Sequence, residues 1–359
     1  MVRKRVAVAM SGGVDSSMAA ALLKQAGYEV IGVTMQIWPP DKEANEVDNS
    51  SGCCGLDAIE SAKRVAYKLG VPYYVLNLRD IFARTVITDF CQEYSLGRTP
   101  NPCIVCNQVI KFGSLLDRVL QMGVDYLATG HYARIEHSRN GYSLLKAVDL
   151  TKDQSYFLYT LGQKQLQYLL MPVGNLHKVE VRKLATKLGL PASNRRDSQD
   201  VCFIPDNDYR SFIAKYVSFE DGDIIDTEGK VLGRHNGLAQ YTVGQRQGLG
   251  LASNKRLYVI RLDTTNNRLV VGARDQLLSN GLFASKLSWI SGKAPTEPIN
   301  MTAKVRYRSP EVTAELHLNG GVAEVNFQHP QRAISPGQAI VFYQGDAVLG
   351  GGIIEGGID

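Results

Sequence analysis

The sequence predicts an α/β protein with a doubly wound parallel sheet, followed by two small β-rich units, the last of them barrel-like. Between residues 5 and 130, short apolar runs such as RVAVAM and VPYYVLNL alternate with helix-like stretches such as SMAAALLKQAGY. This order is typical of a parallel sheet covered by helices. Beyond about residue 205, glycines, β-branched residues and turn signals such as DTEGK and TTNN favour compact β units.

The chain is long enough for more than one hydrophobic core. With 359 residues it exceeds the usual size of a single domain. The change of pattern predicts three domains: 1–204 for the parallel sheet with a helical insert, 205–277 for a small central β-rich unit, and 278–359 for the barrel-like unit. Within the first, residues 164–189 are predicted to be mostly helical.

Composition indicates an ordinary globular protein. Hydrophobic residues make up 44% and charged residues 21%, with a net charge of +5 that permits an anionic partner. The basic residues at the start precede an apolar run too short for a signal peptide. Since no stretch approaches the roughly 20 apolar residues of a membrane span, we expect a soluble, cytoplasmic protein without a membrane partner.

A glycine-bearing loop is the first candidate for chemistry. SGGVDSS, at Ser11–Ser17, follows a buried-looking strand and opens a helix, where backbone amides can face a phosphate. It lacks the lysine of a Walker A loop and the spacing of a dinucleotide fingerprint. The loop therefore predicts a different kind of nucleotide site, with a plain strand-to-helix turn as the alternative.

The six cysteines fall into separate groups. Cys103 and Cys106 form a CxxC in RTPNPCIVCN, and its prolines predict a loop; such a pair serves metal binding, redox chemistry or neither. Cys202, in DSQDVCFIP, is far along the chain. Cys91, in the predicted helix ITDFCQEY, is interpreted as a buried small hydrophobe. The adjacent Cys53 and Cys54 are interpreted as loop residues, with an additional thiol site as the alternative.

The motifs together resemble one family. SGGVDSS, TPNPCIVCN, ATGHYAR, KDQSYFL, SQDVCFIP, GLAQYTVGQRQGLG, VRYRSP and SPGQA occur in the order found in the tRNA-specific 2-thiouridylases. The resemblance covers nearly the whole chain, and the first motif alone resembles the wider group of ATP pyrophosphatases. It implies an enzyme that adenylates the C2 oxygen of uridine 34 in the tRNA anticodon and replaces that oxygen with sulfur.

The same resemblance implies the ligands and partners. ATP and Mg²⁺ are expected, with Asp15 helping to place the metal ion. The tRNAs for glutamate, glutamine and lysine are the expected substrates, and a cysteine desulfurase or a sulfur carrier is the expected sulfur donor.

Residue roles follow position by position from the matching motifs. Cys106 matches the nucleophile and Cys202 the cysteine that carries persulfide sulfur. The positions matching ATP contacts are Ala9, Met10, Ser11, Gly12, Gly13, Val14, Asp15, Ser16, Met35 and Gly130. The positions matching contacts with the target base or tRNA are Asn101, Pro102, Cys103, His131, Lys152, Asp153, Gln154, Arg306, Tyr307 and Gln338.

One position departs from the family pattern. Many members have aspartate where this chain has Cys103, so any acid-base role of that aspartate is in doubt here. Related thiolases hold an iron-sulfur cluster with three cysteines, and Cys103, Cys106 and Cys202 resemble that set. The sequence leaves the persulfide relay and the cluster equally open. We also expect Arg195 and Arg196 to lower the pKa of Cys202, with solvated surface arginines as the alternative.

A base that reacts at C2 must leave the anticodon stack. Tyr132, Tyr156 and Phe157 are candidate stacking platforms, with core packing as the alternative. Lys304, Arg306 and Arg308 alternate along an apparent strand, which would direct them towards phosphates.

Two other functions share parts of this pattern. One is an ATP pyrophosphatase that amidates a small molecule, which would need the loop but not the cysteines. The other is a non-catalytic RNA-binding adaptor, against which the intact SGGVDSS loop argues. Release of pyrophosphate stimulated by tRNA distinguishes thiolation from both.

Overall fold

The computed structural model describes residues 3–37, 56–193, 201–204, 208–252 and 254–358. Within these ranges the chain forms three sheets, and the predicted fold class is confirmed. The predictions for Cys53, Cys54, Arg195 and Arg196 concern residues outside the described ranges.

The first sheet is entirely parallel, with strand order β3-β2-β1-β4-β7. Its central strand is buried along most of its length because helices cover both faces. The strands are β1 (Arg5–Ala9), β2 (Glu29–Gln36), β3 (Tyr73–Asn77), β4 (Tyr126–Ala128) and β7 (Leu169–Leu170).

Two of the helical stretches around this sheet contain π-helical segments, which frequently occur at functional sites. The first runs through α3 (Arg79–Phe82), the π segment Ala83–Ile87 and α4 (Thr88–Ser95); the second through α5 (Pro102–Val105), the π segment Cys106–Leu115 and α6 (Leu116–Gln121). The remaining helices are α1 (Val14–Gln25), α2 (Leu56–Leu69), α7 (Gln163–Leu166), α8 (Lys178–Lys187) and α9 (Tyr209–Ala214).

The CxxC segment is helical, so the predicted loop is wrong. Pro102 occupies the first turn of α5, where a missing N–H costs nothing because that position has no intrahelical acceptor. The prolines therefore mark where a helix begins, and Cys103 and Cys106 lie one turn apart.

The prediction of a mostly helical 164–189 is only partly correct. Helix α7 ends at Leu166, and Leu169 and Leu170 form β7 at the edge of the parallel sheet. A 3₁₀ turn at Pro172–Asn175 then leads to α8. Pairing with β4 decides the conformation of the apolar stretch, which local periodicity cannot reveal.

The second sheet has four strands in the order β10-β11-β8-β9. The two predicted turns are confirmed, because DTEGK joins β8 to β9 and TTNN joins β10 to β11. The strands are β8 (Gly222–Ile225), β9 (Val231–His235), β10 (Tyr258–Asp263) and β11 (Arg268–Gly272).

The third sheet contains a closed barrel. Six strands close because β12 pairs with both β15 and β17, which removes the exposed edges. They are β12 (Leu278–Trp289), β13 (Ile299–Lys304), β14 (Val312–Asn319), β15 (Val322–Arg332), β16 (Ala339–Gln344) and β17 (Ala347–Ile358).

A hairpin from the first region joins this barrel. Its strands β5 (Ala133–Ser138) and β6 (Gly141–Lys146) are antiparallel, and β6 reaches β17 through the pair Leu145 and Ala347. The hairpin begins directly after the loop that follows β4. The barrel is therefore attached beside the carboxyl edge of the parallel sheet.

Strand β13 ends at Lys304, so the predicted strand through Arg306 and Arg308 is wrong. Both arginines lie in the turn that follows. Among the described residues, none of the helices is long and apolar enough to cross a membrane.

Candidate functional site

The site lies where the order of strands in the parallel sheet reverses, on either side of β1. From β1 the chain continues to β2 on one side, whereas β4 pairs on the other. The loops after β1 and β4 therefore leave a crevice at the carboxyl ends of the strands, the usual ligand position in such sheets. The first loop carries Ser11–Gly13 and opens α1, and the second carries Thr129–His131.

Two glycines show how closely the backbone of each loop approaches a neighbouring segment. A Cβ on Gly130 would lie 2.5 Å from the Ser16 nitrogen and 2.7 Å from the Asp15 carbonyl carbon. Gly12 has a φ of +71°, and a Cβ there would lie 2.5 Å from the Ala58 carbonyl oxygen. Only glycine fits either position, so the loop geometry itself requires them.

Asp15 is held by a cation from a distant part of the chain. The Lys178 ammonium donates to both carboxylate oxygens, at 2.8 and 2.7 Å. The Tyr132 hydroxyl donates to Oδ1 at 2.8 Å. Lys178 lies at the start of α8 and is buried. It thus brings a positive charge to a phosphate loop that has no lysine of its own.

A cavity of about 1350 Å³ joins this crevice to the cysteines and to the barrel. Every residue that the family motifs matched to catalysis, ATP or tRNA lines it except Gly12, which faces Ala58 instead. The phosphate-loop and strand positions on its wall are Ala9, Met10, Ser11, Gly13, Val14, Asp15, Ser16, Met35 and Gly130. The other predicted positions are Asn101, Pro102, Cys103, Cys106, His131, Lys152, Asp153, Gln154, Cys202, Arg306, Tyr307 and Gln338.

Three thiols reach this cavity with different exposure. Cys103 is exposed, Cys106 is 9% exposed and Cys202 is half-buried. No disulfide joins any two of the described cysteines. Among the described residues, no three or more His, Cys, Asp or Glu side chains are arranged to hold a metal ion. The three cysteines thus line one cavity.

Comparison with known proteins identifies the family. Models described as the HUP domain of a tRNA methyl transferase, a tRNA methyl transferase PRC-barrel domain and an aminomethyltransferase β-barrel domain match residues 4–206, 210–273 and 279–354. The tRNA-specific 2-thiouridylase MnmA of Acetivibrio thermocellus is 51% identical over 99% of this chain and its own full length. The chain belongs to the tRNA-specific 2-thiouridylase family.

Two further relatives carry the same name. The tRNA-specific 2-thiouridylase MnmA of Halothermothrix orenii is 50% identical, covering 98% of this chain and 99% of its own. That of Moorella thermoacetica is 51% identical over 97% of this chain and 98% of its own. The likeness therefore includes all three sheets.

His131 lies in this 2-thiouridylase cavity as a neutral ring. Its pKa is well below its usual range because burial disfavours the charged form and Lys111 adds repulsion. The Lys111 ammonium lies 3.5 Å from Nε2, and the Thr129 hydroxyl lies 2.8 Å from Nδ1. Such a ring brings no charge of its own to the cavity.

A basic wall comes from the barrel. Lys304, Arg306 and Arg308 line the cavity although β13 ends at Lys304. Arg306 is fixed because its Nη2 donates to the Arg332 carbonyl at 2.9 Å. Burial and the charge of Arg332 lower the pKa of Arg306. The predicted basic surface thus faces the cavity, but a turn presents it.

The three candidate aromatic platforms differ in this structure. Tyr156 is fully buried and its hydroxyl donates to the Ala339 carbonyl, so it belongs to the core. Tyr132 lines the cavity while its hydroxyl holds Asp15. Phe157 remains partly exposed, with its ring 4.3 Å from the Tyr307 ring. The surface available for stacking a base is therefore the Phe157 and Tyr307 pair.

Several predicted tRNA-contacting residues also hold the cavity wall together. The buried Asp153 accepts from the Ala147 amide and from the Ser155 amide and hydroxyl. Gln154 exchanges hydrogen bonds with both backbone groups of Tyr132.

Gln338 extends this bracing to the cysteine segment. Its amide donates to the Thr99 and Pro100 carbonyls, just before α5. The barrel is thereby joined to the helix that carries Cys103 and Cys106.

Among the cavity residues that sequence reasoning missed, Lys178, Lys111 and Asn107 carry polar side chains that bear on the chemistry. For Lys178 no local signal exists, because its partner lies far away in the chain. Lys111 and Asn107 follow Cys106 closely, and only the helical periodicity of this segment, hidden by the expected loop, could have indicated them.

Proposed function

We propose that this chain catalyses the ATP-dependent replacement of the C2 oxygen of uridine 34 in tRNA by sulfur. Membership of the 2-thiouridylase family over nearly the full length supports this activity. The observation that carries the proposal is the single cavity where the phosphate loop, Cys106, Cys202 and the basic barrel wall meet.

The first step activates a poor electrophile. The uracil O2 attacks the α-phosphorus of ATP, the bond to the β-phosphate oxygen breaks, and pyrophosphate leaves. The loop amides at the start of α1 would receive the phosphates, and Lys178 would neutralise charge that develops on the leaving group. Mg²⁺ would supply further neutralisation when bound; Asp15, the ligand that the resemblance implies, is engaged through both carboxylate oxygens by Lys178 in this structure.

The second step transfers sulfur. The terminal sulfur of a Cys202 persulfide attacks the activated C2, and AMP leaves with the original oxygen. The Cys106 thiolate then attacks the Cys202 sulfur, which releases 2-thiouridine and leaves a disulfide between the two cysteines. An external thiol must reduce that disulfide before the next turnover.

A cluster held by Cys103, Cys106 and Cys202 would replace this relay. No group of three or more metal-ligating side chains is found among the described residues, and we derive no step through a cluster. Iron and acid-labile sulfide analysis after anaerobic purification tests this choice. Stoichiometric iron and sulfide, with loss of thiolation in Cys103→Ala, would replace the relay with the cluster.

The partners follow from the family. We propose the tRNAs for glutamate, glutamine and lysine as substrates and a cysteine desulfurase or a sulfur carrier as the donor. The cytoplasm suits the reaction, because cysteines stay reduced there.

The test uses an anticodon stem-loop, ATP and a persulfide donor. Wild type should release pyrophosphate and form 2-thiouridine, measured by mass spectrometry of the digested RNA. Cys106→Ser and Cys202→Ser should abolish thiouridine formation. Cys91→Ser is the matched control, because Cys91 is buried in α4 and does not line the cavity.

Pyrophosphate release that is stimulated by a small molecule to be amidated, instead of by RNA, would support the amidating ATP pyrophosphatase. RNA binding without any pyrophosphate release would support the adaptor. Either result would refute thiolation.

A further inference from the structure

Asn107 carries a buried hydrogen-bond acceptor that the reaction described above does not use. The residue follows Cys106 in the π-helical segment, lines the cavity and is 3% exposed. Its Nδ2 donates to the Phe157 carbonyl at 3.1 Å. Its Oδ1 is buried and has no hydrogen-bond partner among the described residues.

The contact with Phe157 determines which atom of the Asn107 amide is left without a hydrogen-bond partner among the described residues. Exchanging the nitrogen and oxygen would place Oδ1 against another acceptor, so the amide must present its nitrogen to that carbonyl. Oδ1 is therefore a true acceptor, carried by a residue of the cavity wall. Buried polar atoms of native proteins are nearly always hydrogen-bonded, and an orphan beside a binding cavity indicates a donor on the ligand.

The surroundings identify the kind of ligand. On one side, Asn107 is adjacent in sequence to the Cys106 thiol. On the other, it binds the backbone of Phe157, whose ring pairs with that of Tyr307. An aromatic surface and a nucleophile together suit an extruded base.

We propose that Asn107 selects uracil as the target base by accepting a hydrogen bond from its N3–H. This inference rests on the proposed function. N3 is bonded to the reacting C2, so the contact would orient that carbon in the initial complex. Cytosine has a lone pair instead of a proton at N3, so two hydrogen-bond acceptors would face each other. A site that leaves a buried polar group unpaired with an analogue rejects that analogue strongly.

The experiment compares stem-loops that differ only at position 34, with uridine or cytidine. The values of kcat/KM for pyrophosphate release and the inhibition constants of both RNAs are measured for wild type, Asn107→Leu and Asn107→Asp. Gln108→Leu is the matched control, since it replaces an exposed amide of the same helical segment that does not line the cavity.

Asn107→Leu should lower kcat/KM for the uridine RNA about 10- to 100-fold, the usual effect of losing a buried hydrogen bond. The preference for uridine over cytidine should fall by the same factor, while the KM for ATP stays unchanged. Asn107→Asp keeps an acceptor, and its buried carboxyl in the protonated form still donates to the Phe157 carbonyl, so it should retain the preference. Gln108→Leu should match wild type.

An unchanged uridine preference in Asn107→Leu, with both RNAs losing activity in parallel, would overturn the inference and leave a structural role. A raised KM for ATP with unchanged preference would assign the acceptor to the adenine amino group instead. If Asn107→Leu does not fold, Asn107→Asp decides, because loss of preference there refutes selection by the acceptor. Failure of wild type to release pyrophosphate with the uridine RNA would refute the proposed function itself.

Discussion

Gly130→Ala should separate ATP use from tRNA binding. The new methyl group would lie 2.5 Å from the Ser16 nitrogen and 2.9 Å from its Cα, both backbone atoms. Ordinary contact begins at 3.4 Å, so the start of α1 must move by roughly 0.9 Å (3.4 minus 2.5). A displacement of about 1 Å at a reacting group typically costs on the order of 100-fold in rate.

The same crowding should lower stability moderately, because overpacking costs about 1–3 kcal/mol. The assay is RNA-dependent pyrophosphate release at varied ATP, together with stem-loop affinity and thermal unfolding. We expect kcat/KM for ATP to fall about 100-fold while RNA affinity stays the same.

Gly356→Ala is the matched control. A Cβ there meets no atom within 4 Å, and the residue does not line the cavity. If Gly130→Ala retained kcat/KM for ATP within about threefold of wild type, the close approach of the two loops would not determine ATP use.

Three further predictions follow from individual side chains. Lys178→Met should lower kcat/KM for ATP about 10- to 100-fold, since a charged hydrogen bond near Asp15 is lost, and Lys178→Arg should restore part of it in the same assay. Burial depresses the pKa of His131, so the unfolded state binds a proton at a higher pH than the folded state does, and the free energy of unfolding falls as the pH drops below about 6.5. Thermal unfolding measured between about pH 8 and about pH 6 should show a smaller loss of stability in His131→Gln than in wild type. Burial raises the pKa of Cys91 to about 11, so alkylation near pH 8, followed by mass spectrometry, should label the exposed Cys103 and spare Cys91; equal labelling would contradict the burial.

The elements that depend on local pattern were predictable. The apolar run at Arg5–Ala9 forms the central strand of the parallel sheet, and the helix around Cys91 is present as α4. The turns DTEGK and TTNN lie between strands as expected. In each case the residue pattern and the final environment favour the same conformation.

The errors occurred where distant contacts decide the conformation. Leu169 and Leu170 join the parallel sheet because β4 is beside them, although their own pattern favours a helix. Pro100 and Pro102 suggested a loop, yet one helix begins at Pro102. The turn that presents Arg306 follows β13, whose last residue Lys304 still pairs with Val341 of β16.

The sequence by itself determined the fold class, the phosphate loop and the identity of most cavity residues, because those depend on ordered motifs and on periodicities of neighbouring residues. Only the tertiary structure decided that Lys178 meets Asp15, that the three cysteines line one cavity, and that the Asn107 oxygen has no partner among the described residues. These properties depend on distances between segments far apart in the chain, and sheet pairing and barrel closure set those distances.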